Sequence, residues 1–175
     1  MEETNSRERA IALKAVPKTV DGKKILQDLS FNVYANEVLA LIGPNGAGKT
    51  TTVRCITGIL NVSSGEIEKK DSLKISVMSE KDYLWEKFTG SENIKLYSKY
   101  FDGNLEKEKI DYYAEKLGLS EFLPKRVYTY SKGTKRKFSF LLSLLPNPNL
   151  LILDEPMSGL DPISRRNMRE LIFEL

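Results

Sequence analysis

The stretch Gly43-Pro44-Asn45-Gly46-Ala47-Gly48-Lys49-Thr50 follows the apolar run 38–42 and precedes a segment that can be helical. Glycines allow backbone N–H groups to turn inward around phosphates, and the helix that follows presents its positive end to the same anion. Lys49 can reach the outer phosphates, and the hydroxyl of Thr50 can ligate Mg²⁺. The stretch therefore predicts a phosphate-binding loop with a nucleoside triphosphate as its ligand.

Length and composition point to one domain. With 175 residues and 41% hydrophobic content, the chain can bury one core, which suits a single α/β domain with an inserted subdomain. The net charge of +3 comes without a long basic tract, so we expect no nucleic-acid partner. The single cysteine, Cys55, excludes an intrachain disulfide and fits a reducing cytosol.

Neither a signal peptide nor a membrane span is predicted. Residues 1–9 are charged and polar, and the most apolar later stretch, 138–145, ends at Pro146 and is too short to cross a bilayer. We therefore expect any role at a membrane to depend on a partner protein.

The first half of the chain shows strand patterns. Alternating apolar residues over 11–15 and 29–34, on either side of an Asp21-Gly22 turn, predict a small antiparallel sheet with one wet face. The unbroken apolar run 38–42 predicts a parallel strand covered on both faces. A further strand is expected within 73–78.

The second half shows helical patterns. Thr89 and Glu92 fit a capping box, and we interpret 81–145 as a helical insertion. The apolar run 150–153 predicts a return to a buried strand, and Pro162 can open a last helix. The apolar faces of two inserted helices, the second closed by Gly118, are expected to contain Ile94, Tyr97 and Phe101, and Ile110, Tyr113 and Leu117.

A pair of carboxylates indicates which reaction the bound triphosphate undergoes. Asp154 and Glu155 stand at the carboxyl end of the predicted strand 150–153. Asp154 is placed to hold the Mg²⁺ shell, and Glu155 is placed to orient or deprotonate an attacking water. The pattern predicts triphosphate hydrolysis rather than binding alone.

The order of four motifs carries a family resemblance. Between the loop and the acidic pair lies 130–135, Tyr-Ser-Lys-Gly-Thr-Lys, and after the pair comes 158–161, Ser-Gly-Leu-Asp. With these motifs the chain, from about Ile11 onward, resembles the nucleotide-binding domain of ATP-binding cassette (ABC) transporters. A GTPase would need an Asn-Lys-x-Asp guanine motif, which the sequence lacks.

The resemblance implies a fold. It is an α/β P-loop NTPase with a RecA-like parallel-sheet core, an antiparallel β subdomain and an inserted helical subdomain. The implied division of a single domain, 1–175, is 10–80 for the β subdomain and loop core, 81–145 for the helical subdomain and 146–175 for the returning core. The C-terminal part of the core, with the family's switch histidine, is expected beyond Leu175.

The resemblance also implies site residues. Gly43 to Thr50 match Walker A, with Thr51 following, Asp154 matches Walker B, and Glu155 matches the catalytic glutamate. Ser131 and Gly133 match the signature motif, which contacts the γ-phosphate held by the opposite subunit of a dimer. ATP and Mg²⁺ are the implied cofactors, and the expected metal ligands are Thr50, Asp154 and Glu80.

Several positions depart from the family pattern. Tyr130, Lys132 and Thr134 replace residues of the usual Leu-Ser-Gly-Gly-Gln signature, and this Tyr-Ser-Lys-Gly variant resembles an exporter subgroup. Residues 135–137 are interpreted as a solvated basic face. Val20 stands where an aromatic residue stacks on adenine, which predicts weak base selectivity.

The resemblance implies two partners. These are a second ATPase subunit, identical or paralogous, and an integral membrane permease, with the chain at the cytoplasmic face of the membrane. Glu80 replaces the Q-loop glutamine, which contacts the permease. Tyr83, Trp85 and Phe88 follow at the expected contact with the permease, although the same rings could equally fill the helical subdomain's own core.

Two other functions stay open. One is a soluble ABC ATPase without a permease, and the other is a degenerate module that dimerises on ATP without efficient hydrolysis, in keeping with the absence of histidine from the sequence. We further expect these 175 residues alone to be marginally stable and poorly active. The reason is that the runs 38–42 and 150–153 would lack the strand between them and expose apolar surface.

Overall fold

The computed structural model describes residues 8–20, 22–101 and 106–175. Its strands, in chain order, are β1 (Arg9–Val20), β2 (Lys23–Tyr34), β3 (Glu66–Lys69), β4 (Ile75–Met78) and β5 (Leu150–Leu153). Its α-helices are α1 (Lys49–Ile56), α2 (Gly90–Ser98), α3 (Lys107–Lys116), α4 (Lys132–Leu144) and α5 (Pro162–Glu174), with one 3-10 turn at Val127–Thr129.

The chain divides into two units, Met1–Leu73 and Lys74–Leu175. The first contains β1 to β3 and α1, and the second contains the remaining strands and helices. The finer division at residues 80 and 145 stays a prediction.

The first unit is built on an antiparallel sheet in the order β2-β1-β3. Leu13 of β1 lies opposite Phe31 of β2 and opposite Ile67 of β3. The antiparallel pairing expected from the alternating residues is therefore confirmed. The predicted turn position Asp21 lies outside the described residues.

The expectation of one wet face is wrong for β1. Ile11, Ala12 and Leu13 are at most 2% exposed, and because successive side chains point to opposite faces, both faces are covered here. The register then shifts between Leu13 and Val16, and Ala15 adopts a left-handed φ of 45°. This bulge turns Ala15 outward, so it does not share a face with the buried residues before it.

The run 38–42 does not form the expected buried strand. No strand among the described residues pairs with it, and its large aliphatic side chains are between 40% exposed at Leu41 and 93% exposed at Ile42. A strand forms only where a neighbour satisfies its N–H and C=O groups, so an apolar run without one stays irregular. The expectation that this run exposes apolar surface agrees with these values.

The second unit contains a two-stranded parallel sheet. Ile75 of β4 lies opposite Leu150 of β5, and Met78 lies opposite Leu153. Both predicted strands are thus confirmed, although β5 is half-buried throughout rather than fully buried. Two strands alone leave each with an unpaired edge, which explains the partial exposure.

The helices of the second unit follow their sequence signals. The Thr89 Oγ1 accepts from the Glu92 N–H at 3.1 Å, and the Glu92 carboxylate accepts from the Thr89 N–H at 2.8 Å, so the capping box is confirmed. α3 ends just before Gly118, whose φ is 61°, and α5 starts at Pro162 as predicted. α2 ends at Ser98, so Phe101 lies beyond it, packed on the Tyr97 ring at 5.3 Å.

The core of the second unit is centred on α4. Its amphipathic pattern places aromatic and aliphatic side chains against α2, α3, α5 and β4. Burying a phenylalanine or leucine side chain stabilises a fold by about 1.5–3 kcal/mol relative to leaving it exposed. Members with at most 2% exposure are Met78, Ala114, Leu117, Leu119, Val127, Phe138, Phe140, Leu141, Met168 and Leu171.

Candidate functional site

The loop 43–50 turns through two left-handed glycines before α1. Gly46 has φ 81° and Gly48, the residue before the helix, has φ 91°. A Cβ on Gly48 would lie 2.5 Å from the Leu26 Cδ2 atom and 3.3 Å from the Ile25 carbonyl oxygen. Glycine is needed at this position both for the left-handed backbone and for the space.

Lys49 begins α1 with its side chain turned back over the loop. Its Nζ donates to the carbonyl oxygens of Gly43 at 2.8 Å and Pro44 at 3.2 Å. The first turn of α1 contains no acidic residue, so the positive end of the helix is not neutralised from within. The loop therefore places a helix N-terminus and an ammonium group together, as an anion site requires.

The neighbours of Lys49 fix the start of the helix. Thr50 is exposed and Thr51 is half-buried, whereas Thr52 is buried and its Oγ1 donates to the Gly48 carbonyl at 3.0 Å. Cys55, one turn further, is 4% exposed, and burial raises the pKa of its thiol. The Val20 side chain lies outside the described residues, so weak base selectivity stays a prediction.

A groove of about 390 Å³ opens beside the loop. Lys49 and Ala47 line it, together with apolar residues that include Leu29, Leu41 and Ile42. Among the described residues that line this groove, Lys49 is the charged one.

The acidic pair of the second unit stands at the end of β5. The Asp154 N–H donates to the Met78 carbonyl at 2.8 Å, which continues the parallel pairing by one residue. Because β4 and β5 are parallel, 79–80 and 154–155 leave the same edge of the sheet. The structure thus brings the backbones of Glu80, Asp154 and Glu155 to one edge of the sheet.

The backbone of Glu155 is unusual. Its φ is 52°, in the left-handed region that side chains other than glycine's seldom adopt, and its side chain is exposed. Such a conformation costs about 1–3 kcal/mol and persists only where the surroundings hold it.

The expected metal ligands offer hard oxygen donors. Thr50 belongs to the first unit, and Asp154 and Glu80 belong to the second. Among the described residues, no three His, Cys, Asp or Glu side chains cluster closely enough to hold a metal by themselves. One hydroxyl and one or two carboxylates nevertheless suit Mg²⁺, which keeps several waters and takes its other ligands from phosphates.

The signature segment opens α4. The Ser131 Oγ accepts from the Thr134 N–H at 3.1 Å and lies 2.8 Å from the Thr134 Oγ1, so Ser131 caps the helix. A Cβ on Gly133 would lie 3.4 Å from the Gly159 carbonyl oxygen, so 158–161 passes close to the helix start. The predicted serine, glycine and helix N-terminus are therefore found together.

Tyr130, the first signature residue, belongs to the core. It is 5% exposed, its ring meets those of Phe122 and Phe138 edge to face at 5.8 Å, and its Oη donates to the Phe122 carbonyl at 2.5 Å. Burial raises the pKa of its phenol. This departure from the usual signature thus anchors the segment rather than loosening it.

The expectation that 135–137 forms a solvated basic face is wrong for Arg136. Its side chain is 3% exposed, and it lies on the same helix face as Phe140, four residues on, and Ser143, seven residues on. That spacing is the sequence signal that could have found it. Lys135 pairs with Glu86 nearer the surface, and burial lowers the pKa of Lys137.

A buried side-chain amide holds the backbone of the segment after Glu80 through hydrogen bonds. Asn93, fully buried on α2, accepts from the Trp85 N–H at 2.9 Å and donates to the carbonyls of Trp85 at 3.0 Å and Thr89 at 2.8 Å. Tyr83 is 76% exposed, Trp85 38% and Phe88 43%. Tyr83 is therefore largely exposed, whereas Trp85 and Phe88 are each more than half covered.

The comparison with known proteins settles the family. A sequence profile described as ABC transporter matches residues 26–158. The chain belongs to the ABC transporter family. The family resemblance inferred from the order of the motifs is thereby confirmed.

Relatives in this family are ATP-binding proteins. The chain is 36% identical over 175 residues to the ABC transporter ATP-binding protein YhcH of Bacillus subtilis (strain 168), covering 94% of this chain and 57% of that protein. It is 36% identical to an ABC transporter ATP-binding protein of Methanocaldococcus jannaschii, covering 94% and 63% respectively. It is 37% identical to Nod factor export ATP-binding protein I of Rhizobium johnstonii, covering 94% and 56%. The chain thus spans little more than half of these ABC proteins.

Solved structures of the family share the fold. An ATP-binding subunit of an ABC transporter superimposes with a TM-score of 0.82 at 27% identity, covering 94% of this chain and 74% of that one. An ATP-binding cassette in its ADP conformation gives a TM-score of 0.77 at 23% identity, covering 95% and 76%, and shows the fold alone. Within the described part of this ABC chain, no helix combines the length and the apolar character needed to cross a bilayer.

Proposed function

We propose that this ABC protein binds MgATP at the loop 43–50 and hydrolyses it at composite sites shared with a second ATPase subunit, identical or paralogous. Hydrolysis drives export through a separate membrane permease, which holds the protein at the cytoplasmic face of the membrane. The observation that carries the proposal is the phosphate loop itself. Its left-handed Gly46 and Gly48, the α1 N-terminus and the inward-turned Lys49 form one anion site.

The roles of the chain's residues follow from their chemistry. Lys49 exchanges its two carbonyl contacts for phosphate oxygens, because an ionised acceptor binds an ammonium group more strongly than a neutral carbonyl does. Thr50, Asp154 and Glu80 would hold Mg²⁺, which would supply charge neutralisation at the phosphates. Glu155 orients or deprotonates the attacking water from its exposed position.

The second half of each composite site comes from the α4 N-terminus. Ser131 and Gly133 lie at the start of a 13-residue helix whose first turn contains no acidic residue. A hydroxyl, a bare backbone and a helix N-terminus can take the γ-phosphate of a nucleotide held by the other subunit. ATP would then hold two subunits together.

Export and the permease are supported by two observations. One is the name of the Rhizobium relative, which is an export ATP-binding protein at 37% identity. The other is the group formed by Tyr83, Trp85 and Phe88, each at least partly exposed, since aromatic side chains are enriched at protein interfaces.

Two substitutions, made in the full-length subunit, test hydrolysis and dimerisation. Lys49→Ala removes the ammonium group and is expected to abolish MgATP binding, whereas Glu155→Gln is expected to keep binding, stop turnover and trap a dimer. Calorimetry measures binding, phosphate release measures turnover and light scattering with ATP measures the dimer. A Glu155→Gln protein that binds MgATP but stays monomeric contradicts the composite site.

A third substitution tests the permease contact. Trp85→Ala is expected to weaken co-purification with the proposed membrane permease while leaving basal ATPase activity intact. Tyr100→Ala is the matched control, because Tyr100 is an aromatic residue of the same unit with 74% exposure. A collapsed melting temperature for Trp85→Ala would instead assign the ring to the core of the helical subdomain.

A further inference from the structure

Arg136 is a buried cation held by the segment that follows β4. Its guanidinium Nη1 donates to the carbonyl oxygens of Ser79 at 2.6 Å and Glu80 at 3.1 Å. The same nitrogen lies 3.1 Å from the Asp82 Oδ1, in an ion pair whose side chains are 3% and 18% exposed. One nitrogen thus binds three acceptors on the segment 79–82.

The other end of the guanidinium holds the acidic pair. Nη2 donates to the backbone carbonyl oxygens of Asp154 at 2.5 Å and Glu155 at 2.7 Å. These carbonyls flank the one residue of the pair whose φ is 52°. Two charge-assisted hydrogen bonds at this point oppose the strain of the left-handed backbone, because rotating Glu155 back to an ordinary φ would move its carbonyl.

The geometry requires arginine rather than any cation. A guanidinium is a planar fork whose two terminal nitrogens point to different acceptors at once, whereas a lysine ammonium group is a single point with a shorter reach. Burying the charge also carries a desolvation cost that an apolar side chain of similar volume would avoid. The presence of arginine at this position is therefore explained by the contacts it makes and not by its contribution to packing.

We propose that Arg136 is a positioning residue for hydrolysis, which sets the backbone of Asp154 and Glu155 and ties it to the segment 79–82. Arg136 does not touch the nucleotide in this scheme. It acts through Glu155, whose side chain projects from the backbone that the guanidinium fixes. The inference rests on the proposed ATP hydrolysis and adds to it a residue outside the four sequence motifs.

The central variant is Arg136→Lys, which keeps the charge and loses the fork. We expect kcat to fall by roughly ten-fold to a hundred-fold, because small misplacements of a catalytic group cost about this much, while KM for ATP stays within about two-fold. Lys135→Ala is the matched control, since it removes the neighbouring cation on α4 and its surface ion pair with Glu86. Its kcat is expected to match that of the unaltered protein.

A double substitution separates positioning from a structural role. If Arg136 acts through Glu155, then Arg136→Lys added to Glu155→Gln lowers the residual hydrolysis no further. A purely structural role predicts a further loss of the same size as in the single variant. Asp82→Asn, which weakens the anchor on the other side while keeping an oxygen acceptor, is expected to lower kcat by a smaller factor in the same direction, and serves if Arg136→Lys does not fold.

A measurement without nucleotide distinguishes failure of this inference from failure of the proposed function. The N–H groups of Asp154 and Ser158 donate to the Met78 and Glu155 carbonyls. Their hydrogen exchange, followed by NMR, is expected to quicken by about ten-fold in Arg136→Lys and to stay unchanged in Lys135→Ala.

The results of these experiments distinguish the role of Arg136 from the proposed function. Unchanged exchange together with unchanged kcat in Arg136→Lys overturns the inference and leaves the ATPase standing. Absence of ATP hydrolysis in the unaltered subunit, assayed at full length and together with its second ATPase subunit, overturns the proposed function and with it the role of Arg136 in hydrolysis, even if exchange quickens. Quickened exchange with reduced kcat and unchanged KM supports both.

Discussion

Two runs of nearly the same composition, 38–42 and 150–153, differ in whether they form a strand. Both are short aliphatic stretches that lead into a functional segment, and both predict a parallel strand. The second becomes β5 and is half-buried beside β4, whereas the first forms no strand among the described residues and is up to 93% exposed. Burial is therefore conferred by the neighbouring strand and not by the run itself.

The phosphate loop and the acidic pair also differ in the interactions that hold them in place. The phosphate loop depends on local features, namely glycine backbone angles, a short helix and a lysine bound to the loop's own carbonyls. The acidic pair depends on a large core and on the buried guanidinium of Arg136 on α4. A change in the core should therefore reach the second segment, and only local changes should reach the first.

The largest expected difference is between Phe138→Ala and Ile42→Ala. Phe138 is completely buried, so its truncation is expected to cost about 3–5 kcal/mol of the free energy of unfolding. Ile42 is 93% exposed, and its truncation is expected to change that free energy by less than about 0.5 kcal/mol. Urea denaturation of this chain measures both. A cost for Ile42→Ala as large as that for Phe138→Ala would break the comparison, because the run would then be covered in solution.

A smaller difference is expected within the loop between Gly48→Ala and Gly46→Ala. Both glycines have left-handed angles, so each alanine costs about 1–2 kcal/mol in backbone strain. At Gly48 the new methyl also meets Leu26, and we expect about 1 kcal/mol more, the lower end for overpacking, since a leucine methyl can turn away. Gly46 has no atom within 4 Å of the same position and is the control. Equal melting temperatures and equal nucleotide affinities for the two variants would show that the packing beside the loop is not rigid.

The smallest expected effect is on the free energy of unfolding at low pH, and it comes from Asp161. Hydrogen bonds from the hydroxyl and N–H of Ser164, and then from the Ile163 N–H, lower the pKa of this α5 cap below its ordinary value of 3.8. The carboxylate's contribution is therefore complete above pH 3.8 and is lost as the pH falls through the lowered pKa of the folded state.

Asp161→Asn keeps a capping oxygen and removes the titration. Its urea midpoint is expected to fall less steeply than that of the unaltered protein as the pH drops below 3.8, with little difference at pH 7. Identical profiles would mean that Asp161 has the same pKa in the folded and unfolded states.

The sequence predicted what depends on neighbours along the chain. The capping box at Thr89, the start of α5 at Pro162 and the glycine angles of the loop all use contacts within a few residues, which the sequence displays directly. The strand at 38–42 was predicted wrongly because strand formation depends on a partner elsewhere. The bulge at Ala15 escaped prediction for a similar reason, since a register shift belongs to a pair of strands.

The site shows the same division. The motif residues of the phosphate loop and the acidic pair were found from their types and order, because phosphate and metal chemistry requires those types. Arg136 was missed because four of its five acceptors are backbone carbonyls. Every residue carries such a carbonyl, so the partners of a buried guanidinium leave no trace in residue types.

The reactivity of Cys55 can report local opening of the first unit. Only the thiolate reacts with alkylating reagents, and a thiol that is 4% exposed, with its pKa raised by burial, reacts only when the surrounding structure opens. Because the sequence has one cysteine, the rate of alkylation registers opening around α1 with no signal from the second unit. Comparing that rate with the rate of global unfolding reveals whether the helix behind the phosphate loop opens on its own, without introducing any label.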